Sequence, residues 1–260
     1  MPHAVSPELT ISIVSHGQAD LLPPLLEQLA ALSEQISLQV IITENLGQGQ
    51  LHRFDELPLS IDYIVNREPK GFGANHNAAF VHAAAPYFCV MNPDIRLHGD
   101  PFRPLLRQLC RASGIAGPKV INPNGMLEDS ARHVPTLGRL LERHLKGIRV
   151  ADYVSNRIQT VDWMAGMCLV FDVAAYRILG GFDERFHLYC EDVDICLRAH
   201  LTGWHVSWTV DAIVEHEARR DSRRKLRYLW WHLCSFTRLI ASSSYRKFCW
   251  RRNSGTRSVS

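Results

Sequence analysis

Residues 9–44 read LTISIVSHGQADLLPPLLEQLAALSEQISLQVIITE, and this stretch decides the fold class. Its first part, Leu9 to Ser15, alternates in polarity and is rich in β-branched side chains, which predicts a strand. Leucines then recur at helical spacing from Leu21 to Leu32, which predicts a helix with one apolar face. Val40 to Thr43 predict a second strand. A strand, a helix and another strand in this order are typical of a parallel α/β sheet.

The same alternation continues downstream. We expect strands at Ile61–Val65 and Tyr87–Met91 and a helix at Ala74–Ala84. In parallel α/β sheets, ligands bind at the carboxyl ends of the strands. The polar residues that follow the predicted strands are Ser15, His16, Glu44, Asn45, Asn92 and Asp94. The sequence therefore predicts a binding site at this edge of the sheet.

The second half of the chain is less regular at first. Residues 117–160 are rich in Pro and Gly, and we interpret them as loops with a short helical stretch near residues 140–146. The pattern then predicts a strand at Cys168–Phe171, helices at Val173–Leu179 and Glu191–Leu201, a strand at His205–Thr209 and a helix from Leu226 to about Ile240. Residues 253–260 are polar and we expect them to be disordered.

Two short motifs near the predicted binding edge contain residues that can bind a ligand. Asp94, in Asn92-Pro93-Asp94, follows a strand, where a carboxylate can ligate a divalent cation that bridges nucleotide phosphates. Residues 71–77, GFGANHN, place Gly71 and Gly73 before a helix start, where backbone can approach an anionic ligand closely. Each motif also has a plain structural interpretation. Pro-Asp is a common turn, and a glycine turn can precede an asparagine-rich helix start that includes Asn75 and Asn77.

Residues 180–198, GGFDERFHLYCEDVDICLR, form the most informative motif. Glu191 and Asp192 fall in the first turn of a predicted helix, where acids are favoured by the helix dipole. Asp194 and Arg198 are spaced for an ordinary ion pair along the helix. Adjacent carboxylates at a helix start beside a pocket can also act as a general base. The residues alone leave these two interpretations balanced.

Composition gives broad limits. The chain has 260 residues and a net charge of +3, which suits one globular domain or one domain with an extension. Its seven cysteines form no CxxC pair, so we expect a reduced, cytosolic setting. We find neither a signal peptide nor an apolar run long enough to span a membrane.

The charge is unevenly distributed. From Ala218 to the end there are twelve Lys or Arg residues against one acid, mixed with Trp, Tyr and Phe. We therefore divide the chain into a domain at 1–217 and a basic, aromatic helical segment at 218–260. This segment suits an anionic membrane surface. Packing on the domain is the next alternative, and a nucleic-acid partner is the least favoured.

The motifs in their order resemble family-2 glycosyltransferases, in particular the bacterial rhamnosyltransferase-like branch. The resemblance runs from about Leu9 to His216. It is carried by Trp163–Met167, the 180–198 motif and Gly203-Trp204, together with Gly71–Asn77 and Asn92–Asp94. It implies the GT-A fold, a nucleotide-sugar donor, Mg²⁺ or Mn²⁺, and a glycan or lipid-linked acceptor. Many relatives work at the cytoplasmic membrane face, which implies a cytoplasmic, peripheral location.

The resemblance also implies roles for individual residues. Asp94 would hold the cation against the donor diphosphate, and His216 would complete the metal site, although a plain surface histidine between Glu215 and Glu217 is the alternative. Glu44 would contact the nucleotide base, unless it is only a loop carboxylate. Asp192, with Glu191 as the second choice, would deprotonate the acceptor hydroxyl for an inverting attack.

The chain departs from the family pattern in three places. Ser15-His16 replaces the usual ending of the first strand, Glu44-Asn45 replaces Asp-Asn, and Asn92 replaces the first acid of the metal motif. Other functions stay open at this point. A nucleotidyltransferase of similar topology would exchange pyrophosphate, and a non-catalytic binding module would recognise sugar or nucleic acid without turnover.

Overall fold

The computed structural model describes residues 6–46, 53–136, 151–217 and 226–255. The unit predicted from residues 9–44 is present as β1 (Leu9–Ser15), a 3-10 turn (Ala19–Leu21), α1 (Leu22–Leu32) and β2 (Leu38–Glu44). Every residue of β2 is buried. Burial along the whole strand follows from helices covering both faces of the sheet.

The remaining elements follow in chain order. They are β3 (Ser60–Val65), α2 (Phe72–Phe80), β4 (Tyr87–Met91), β5 (Ile95–Leu97), α3 (Phe102–Arg111), β6 (Gly114–Ile121), β7 (Ala131–Arg132), β8 (Gln159–Thr160), β9 (Trp163–Met164), β10 (Cys168–Asp172), α4 (Val173–Leu179), α5 (Glu191–Leu201), β11 (His205–His216), α6 (Leu226–Ala241) and α7 (Ser243–Gly255). The predicted α/β sheet flanked by helices is confirmed.

The described strands are ordered β3-β2-β1-β4-β10-β6-β11-β5, and β8 pairs with β11. β3, β2, β1 and β4 are parallel, so Ser15 lies beside Glu44 at one carboxyl edge. β10 is antiparallel to β4, and its first residue, Cys168, lies opposite Met91 at the end of β4. The segment before β10 therefore lies at the same carboxyl edge of the sheet.

The sheet separates two apolar layers. Cys89 and Met91 of β4 face a layer with the leucines of α1 and α3. Phe88 and Val90 face the opposite layer, which includes side chains of α4 and α5 and also Leu239 of α6. The alternation along β4 follows from the period of two in a strand.

The loop interpretation of residues 117–160 was wrong for its first part, because β6 runs through Pro118 to Ile121. The partner strand β11 shifts register between Thr209 and Ile213, directly opposite Pro118 and Lys119. A bulge in the partner accommodates a proline that cannot donate a ladder hydrogen bond. The short helix expected near residues 140–146 lies outside the described residues.

The C-terminal helices pack on the sheet domain. Leu239 is fully buried, the Ser244 hydroxyl donates to Asp194 Oδ1 (2.7 Å), and the Tyr245 hydroxyl donates to the Pro135 carbonyl (2.9 Å). The helix expected from Leu226 is confirmed as α6, and α7 extends to Gly255, beyond the expected onset of disorder at residue 253. The boundary at 217/218 stays a prediction. No helix in the described ranges has the length and apolar character needed to cross a bilayer.

Candidate active site at the carboxyl edge of the sheet

The acids at the start of α5 follow a strained turn. Tyr189 and Cys190 have φ angles of 72° and 68°, and they are the non-glycine residues in the left-handed region among those described. Each such residue costs on the order of 1–3 kcal/mol and is kept only where the surroundings impose it. Strain of this kind concentrates at functional sites. Here it sets the direction in which Glu191 and Asp192 leave the turn.

Asp192 is held by backbone groups. Its Oδ2 accepts a hydrogen bond from the Gly166 N–H (3.1 Å) and its Oδ1 accepts one from the Val193 N–H (2.8 Å). Burial raises the pKa of Asp192, and these two bonds together with the charge of Arg132 oppose that rise. The bonds favour the ionised form, which is the form that a general base requires.

Glu191 differs from its neighbour. It is 5% exposed, and its Oε2 is buried without a hydrogen-bond partner among the described residues. Burial, and then the charge of Asp192, raise the pKa of Glu191 to about 8. Burial therefore disfavours the ionised form of Glu191, whereas two N–H donors favour the ionised form of Asp192, which makes Asp192 the better candidate for the base.

Both acids face a cavity of ≈ 300 Å³, a volume at the lower end of small-ligand sites. Its wall includes Glu191, Asp192, Arg132, His133, His232 and Phe236. Arg132 lies over the Trp163 ring, with its guanidinium carbon 5.2 Å from the ring centroid. The cavity thus combines carboxylates, imidazoles and a guanidinium, which are groups that can hydrogen-bond a polyhydroxyl ligand.

A second acidic site lies after β4. The Asp94 Oδ2 is 3.3 Å from the His216 Nε2, and the His216 Nδ1 is 3.0 Å from the Glu128 Oε2. Burial lowers the pKa of His216, but hydrogen bonds to Asp94 and Glu128 outweigh it and raise the pKa to about 9. His216 is therefore a cation between two carboxylates in the metal-free protein.

The Asp94–His216 pair fits a divalent cation. The Asp94 Oδ1 is buried and has no hydrogen-bond partner among the described residues, so a carboxylate oxygen is available for a ligand. Glu128 can orient the imidazole ring of His216 through the Nδ1 atom of that ring. Within the described ranges, no group of three or more His, Cys, Asp or Glu residues could hold a metal ion. Further ligands would have to come from water or from donor phosphates.

One short segment connects the two acidic sites. The Gly166 N–H donates to Asp192, and the carbonyl of the following residue, Met167, accepts from the Asn92 N–H (2.9 Å). Asn92 belongs to the turn that carries Asp94. Two consecutive residues therefore fix the separation between the α5 acids and the β4 turn.

The predicted donor-side residues at β1 and β2 come together. Ser15 pairs with Glu44 in the sheet register, and Glu44 is 4% exposed with its Oε1 accepting from the Leu46 N–H (3.1 Å). His16 is 2.8 Å from the Asn45 amide nitrogen through its Nε2. Burial and His187 lower the pKa of His16, against the charge of Glu44. Contact with a nucleotide stays a prediction for these residues.

The glycines at 71 and 73 have a protein partner. A Cβ at Gly71 would lie 2.6 Å from the His187 carbonyl oxygen, and one at Gly73 would lie 2.6 Å from the Phe182 Cβ. Close packing against the loop before α5 therefore accounts for both glycines. Donor contact by Gly71 and Gly73 stays a prediction.

The two asparagines of this segment are engaged within the protein. The Asn75 side-chain amide donates to the Gly71 carbonyl (3.0 Å), and its Oδ1 accepts from Asn66 (2.6 Å). The Asn77 Oδ1 accepts from the Tyr176 hydroxyl (2.7 Å) and the Phe182 N–H (2.9 Å). The Asn77 bond to Phe182 ties α2 to the segment preceding α5, whereas Asn75 bonds to residues just before α2. Donor binding by Asn75 and Asn77 stays a prediction.

Sequence reasoning missed several residues of this site. Arg132, His133 and His232 line the cavity, and Glu128 contacts His216. None belongs to a recognisable motif, and Glu128 and His216 are 88 positions apart. The one available signal was the aromatic and basic character of the segment that contains His232.

Two rhamnosyltransferases are similar to the chain in sequence. No family model matches the chain. It is 27% identical over 245 residues to the rhamnosyltransferase WbbL of Escherichia coli K12, covering 89% of this chain and 92% of that protein. It is 31% identical over 147 residues to an N-acetylglucosaminyl-diphospho-decaprenol L-rhamnosyltransferase of Mycobacterium tuberculosis H37Rv. That match covers 52% of this chain and 48% of the relative, so the chain matches about half the length of the mycobacterial protein.

Solved structures resemble the chain in fold. The mannosyltransferase PcManGT of Pyrobaculum calidifontis, in complex with GDP-Man and Mn²⁺, matches with a TM-score of 0.63 at 16% identity over 92% of this chain and 66% of that one. GalNAc-T7 with UDP, GalNAc and Mn²⁺ matches with a TM-score of 0.61 at 13% identity over 83% of this chain and 45% of that one. At these identities the likeness concerns the fold alone.

Proposed function

We propose that the chain, which has the GT-A fold and is similar to bacterial rhamnosyltransferases, is a family-2 glycosyltransferase that transfers a sugar from a nucleotide donor to a hydroxyl of a lipid-linked glycan. Rhamnose from dTDP-rhamnose is the first donor to test. One observation carries the proposal. Asp192 faces a cavity, and both Asp192 and the Asn92–Asp94 turn are hydrogen-bonded to the Gly166–Met167 segment.

This arrangement suits a direct displacement with inversion. Asp192 takes the proton of the acceptor hydroxyl, and the oxygen forms a bond to the anomeric carbon. The bond from that carbon to the phosphate oxygen breaks, and its electron pair leaves with the nucleoside diphosphate. Attack from the side opposite the leaving group inverts the anomeric configuration. Protonated Glu191 is a poor base and would act as a neighbour that tunes Asp192.

Asp94 and His216 are the residues that would hold Mg²⁺ or Mn²⁺. A bound divalent cation would neutralise the charge that develops on the diphosphate leaving group. Binding the cation through His216 requires the imidazole to lose its proton, while the Asp94 carboxylate remains. Asn92 orients the turn through its backbone bond to Met167.

The nucleotide is proposed to lie along the ends of β1 and β2. Ser15, His16 and Glu44 would contact the nucleoside. The residues of the α2 start, Gly71, Gly73, Asn75 and Asn77, would border the donor site and shape it through the packing described above. The relatives with solved structures hold GDP-Man or UDP with Mn²⁺, which supports a nucleotide-sugar donor here.

The decisive experiment is a screen of nucleotide sugars with and without Mn²⁺ or Mg²⁺, using a diphosphate-lipid-linked acceptor and scoring transfer and free nucleotide. Transfer that is lost in Asp192→Asn and kept in Asp55→Asn supports the proposal, because Asp55 is an exposed carboxylate whose ion pair in the described part of the chain is with Arg53. Pyrophosphate exchange without transfer would indicate a nucleotidyltransferase. Oligonucleotide binding without any nucleotide-sugar affinity would indicate a binding module.

The chain is proposed to work in the cytoplasm at the membrane face, because one side of α6 is apolar and exposed. Leu229, Trp230 and Leu233 are 68%, 64% and 54% exposed and fall within one side of a helix. Replacing all three with Ser should weaken binding to anionic vesicles. Val81→Ser, at an exposed apolar site directly after α2 (79%), is the control. Equal vesicle binding by all proteins would contradict the membrane proposal.

A further inference from the structure

The inner side of α6, formed by Trp231, His232, Ser235 and Arg238, contacts residues 185–189. The Trp231 and His187 rings are 4.7 Å apart between centroids, and the His232 and Tyr189 rings are 5.1 Å apart. The Ser235 hydroxyl donates to the Leu188 carbonyl (2.8 Å), and the Arg238 guanidinium donates to the Arg185 carbonyl. These four α6 residues share one side of the helix, opposite Leu229 and Leu233. The stretch that they contact ends directly before the α5 acids.

The same stretch is packed from its other side by the start of α2. The Phe72 N–H donates to the His187 carbonyl (3.0 Å), and that oxygen leaves no room for a side chain at Gly71. Residues 185–190 therefore lie between α2 and α6. The left-handed angles at Tyr189 and Cys190 need such contacts, because an unsupported turn would relax to a lower-energy conformation.

The C-terminal helices are in turn attached to α5. Asp194 binds Arg198 (2.7 Å) along α5 and accepts from Ser244 of α7 (2.7 Å). Leu239 of α6 is fully buried in the layer that contains Val193 and Leu197 of α5. α6, which contacts the turn, is thus fixed to α5, the helix that follows the turn.

α6 also reaches the cavity directly. His232 and Phe236 form part of the wall that contains Glu191 and Asp192. An acceptor placed for proton transfer to Asp192 would therefore lie beside α6. We infer that α6 is a positioning element of the active site: it holds residues 185–190 in the strained form that aims Asp192 and supplies one wall of the acceptor site. The acceptor part of this inference rests on the proposed function.

The test compares Ser235→Ala and His232→Ala with Thr237→Ala in the full-length protein. Thr237 is exposed on the other side of α6, and its hydroxyl bonds only within the helix, to the Leu233 and Cys234 carbonyls. Hydrogen exchange is followed in peptides that cover residues 70–75 and 185–194. Transfer is measured with varied donor and varied acceptor, and His232→Phe is included because it keeps a ring against Tyr189.

The inference predicts faster exchange in both peptides for Ser235→Ala and His232→Ala, and wild-type exchange for Thr237→Ala. It predicts at least a tenfold loss of kcat with a donor KM within twofold of wild type, and recovery of most of the kcat in His232→Phe. Unchanged exchange in the two inner-side variants would overturn it, as would faster exchange with wild-type kcat. If the wild-type protein transfers no sugar, the proposed function fails, and the exchange data still decide whether α6 holds the turn.

Discussion

Two helix starts near the site, those of α2 and α5, have opposite construction. The start of α5 follows two left-handed residues and carries a buried carboxylate oxygen with no partner in the described chain. At the start of α2, Gly71 has an ordinary φ of −68°, and the Asn75 and Asn77 oxygens all accept hydrogen bonds. Backbone strain and an unsatisfied acid are retained where chemistry requires them. A fully bonded amide network instead indicates a structural role.

The strongest test of this contrast is Asp192→Asn. The amide keeps the shape of the side chain and one acceptor for the Gly166 N–H, but it cannot take a proton. We expect kcat to fall by about 10²–10⁴-fold, with a modest loss of stability because one of the two N–H groups that Asp192 binds loses its acceptor. Single-turnover transfer assays measure the effect. Retention of wild-type turnover would show that the base lies elsewhere.

Asp94→Ala should have the next largest effect. Loss of this carboxylate removes one proposed cation ligand and leaves His216 with Glu128 alone. We expect Mn²⁺ affinity in the presence of nucleoside diphosphate, measured by electron paramagnetic resonance, to fall by about 10- to 100-fold, with transfer falling in parallel. Glu215→Gln is the control, because Glu215 is a nearby carboxylate that pairs with His98. Equal Mn²⁺ affinity in both variants would contradict the assignment of Asp94.

Asn77→Ala tests the other side of the comparison. It leaves the Tyr176 hydroxyl and the Phe182 N–H without their acceptor, and we expect the free energy of unfolding to fall by about 3 kcal/mol. Urea denaturation measures the loss, and a double-mutant cycle with Tyr176→Phe isolates the shared bond. The donor KM of the folded variant should stay within about threefold of wild type. A donor KM raised tenfold or more would show that Asn77 contacts the donor, and it would contradict the structural role that the comparison assigns to the start of α2.

The effect of Glu191→Gln depends on pH, and it should be the smallest of the four near pH 5, where wild type has lost little of this contribution. The pKa of Glu191 is raised from its ordinary 4.5 to about 8 in the folded protein, so the folded state holds a proton that the unfolded state releases. This contribution to stability is complete below pH 4.5 and is lost as pH rises through about 8.

Glutamine carries no such proton, so the variant should gain unfolding free energy relative to wild type across that window, by up to about 1.4 kcal/mol per pH unit. Urea denaturation at pH 5, 6.5 and 8 measures the trend. A difference that is independent of pH would mean that Glu191 is ionised in the folded protein throughout.

The sequence alone was sufficient for features that depend on local pattern. Apolar spacing predicted β1, α1, β2 and the acids at the start of α5, and the resemblance supplied the pairing of Asp94 with His216, which lie 3.3 Å apart. Pattern could not predict the left-handed turn, because Tyr189 and Cys190 have no intrinsic preference for positive φ. Pro118 concealed β6, since the bulge that accommodates it lies in a strand about ninety positions later.

The cavity was beyond the reach of local pattern for a different reason. Its wall joins Arg132, Asp192 and His232, which come together only when three separate segments pack. The charged and aromatic composition of the C-terminal segment predicts a membrane-binding surface. Composition does not report which side of a helix is covered, and the inner side of α6 is the one that contacts the active-site turn.

The peptide from Gly166 to Met167 also bears on how the enzyme can be re-engineered. A change of sugar acceptor calls for a different cavity shape, and the side chains of Arg132 and His133 can be varied without changing that peptide. An insertion or deletion within it would shift Asp192 and the Asn92–Asp94 turn relative to each other. Libraries that aim at new acceptors should therefore randomise the cavity wall and conserve the length of the segment from Ala165 to Cys168.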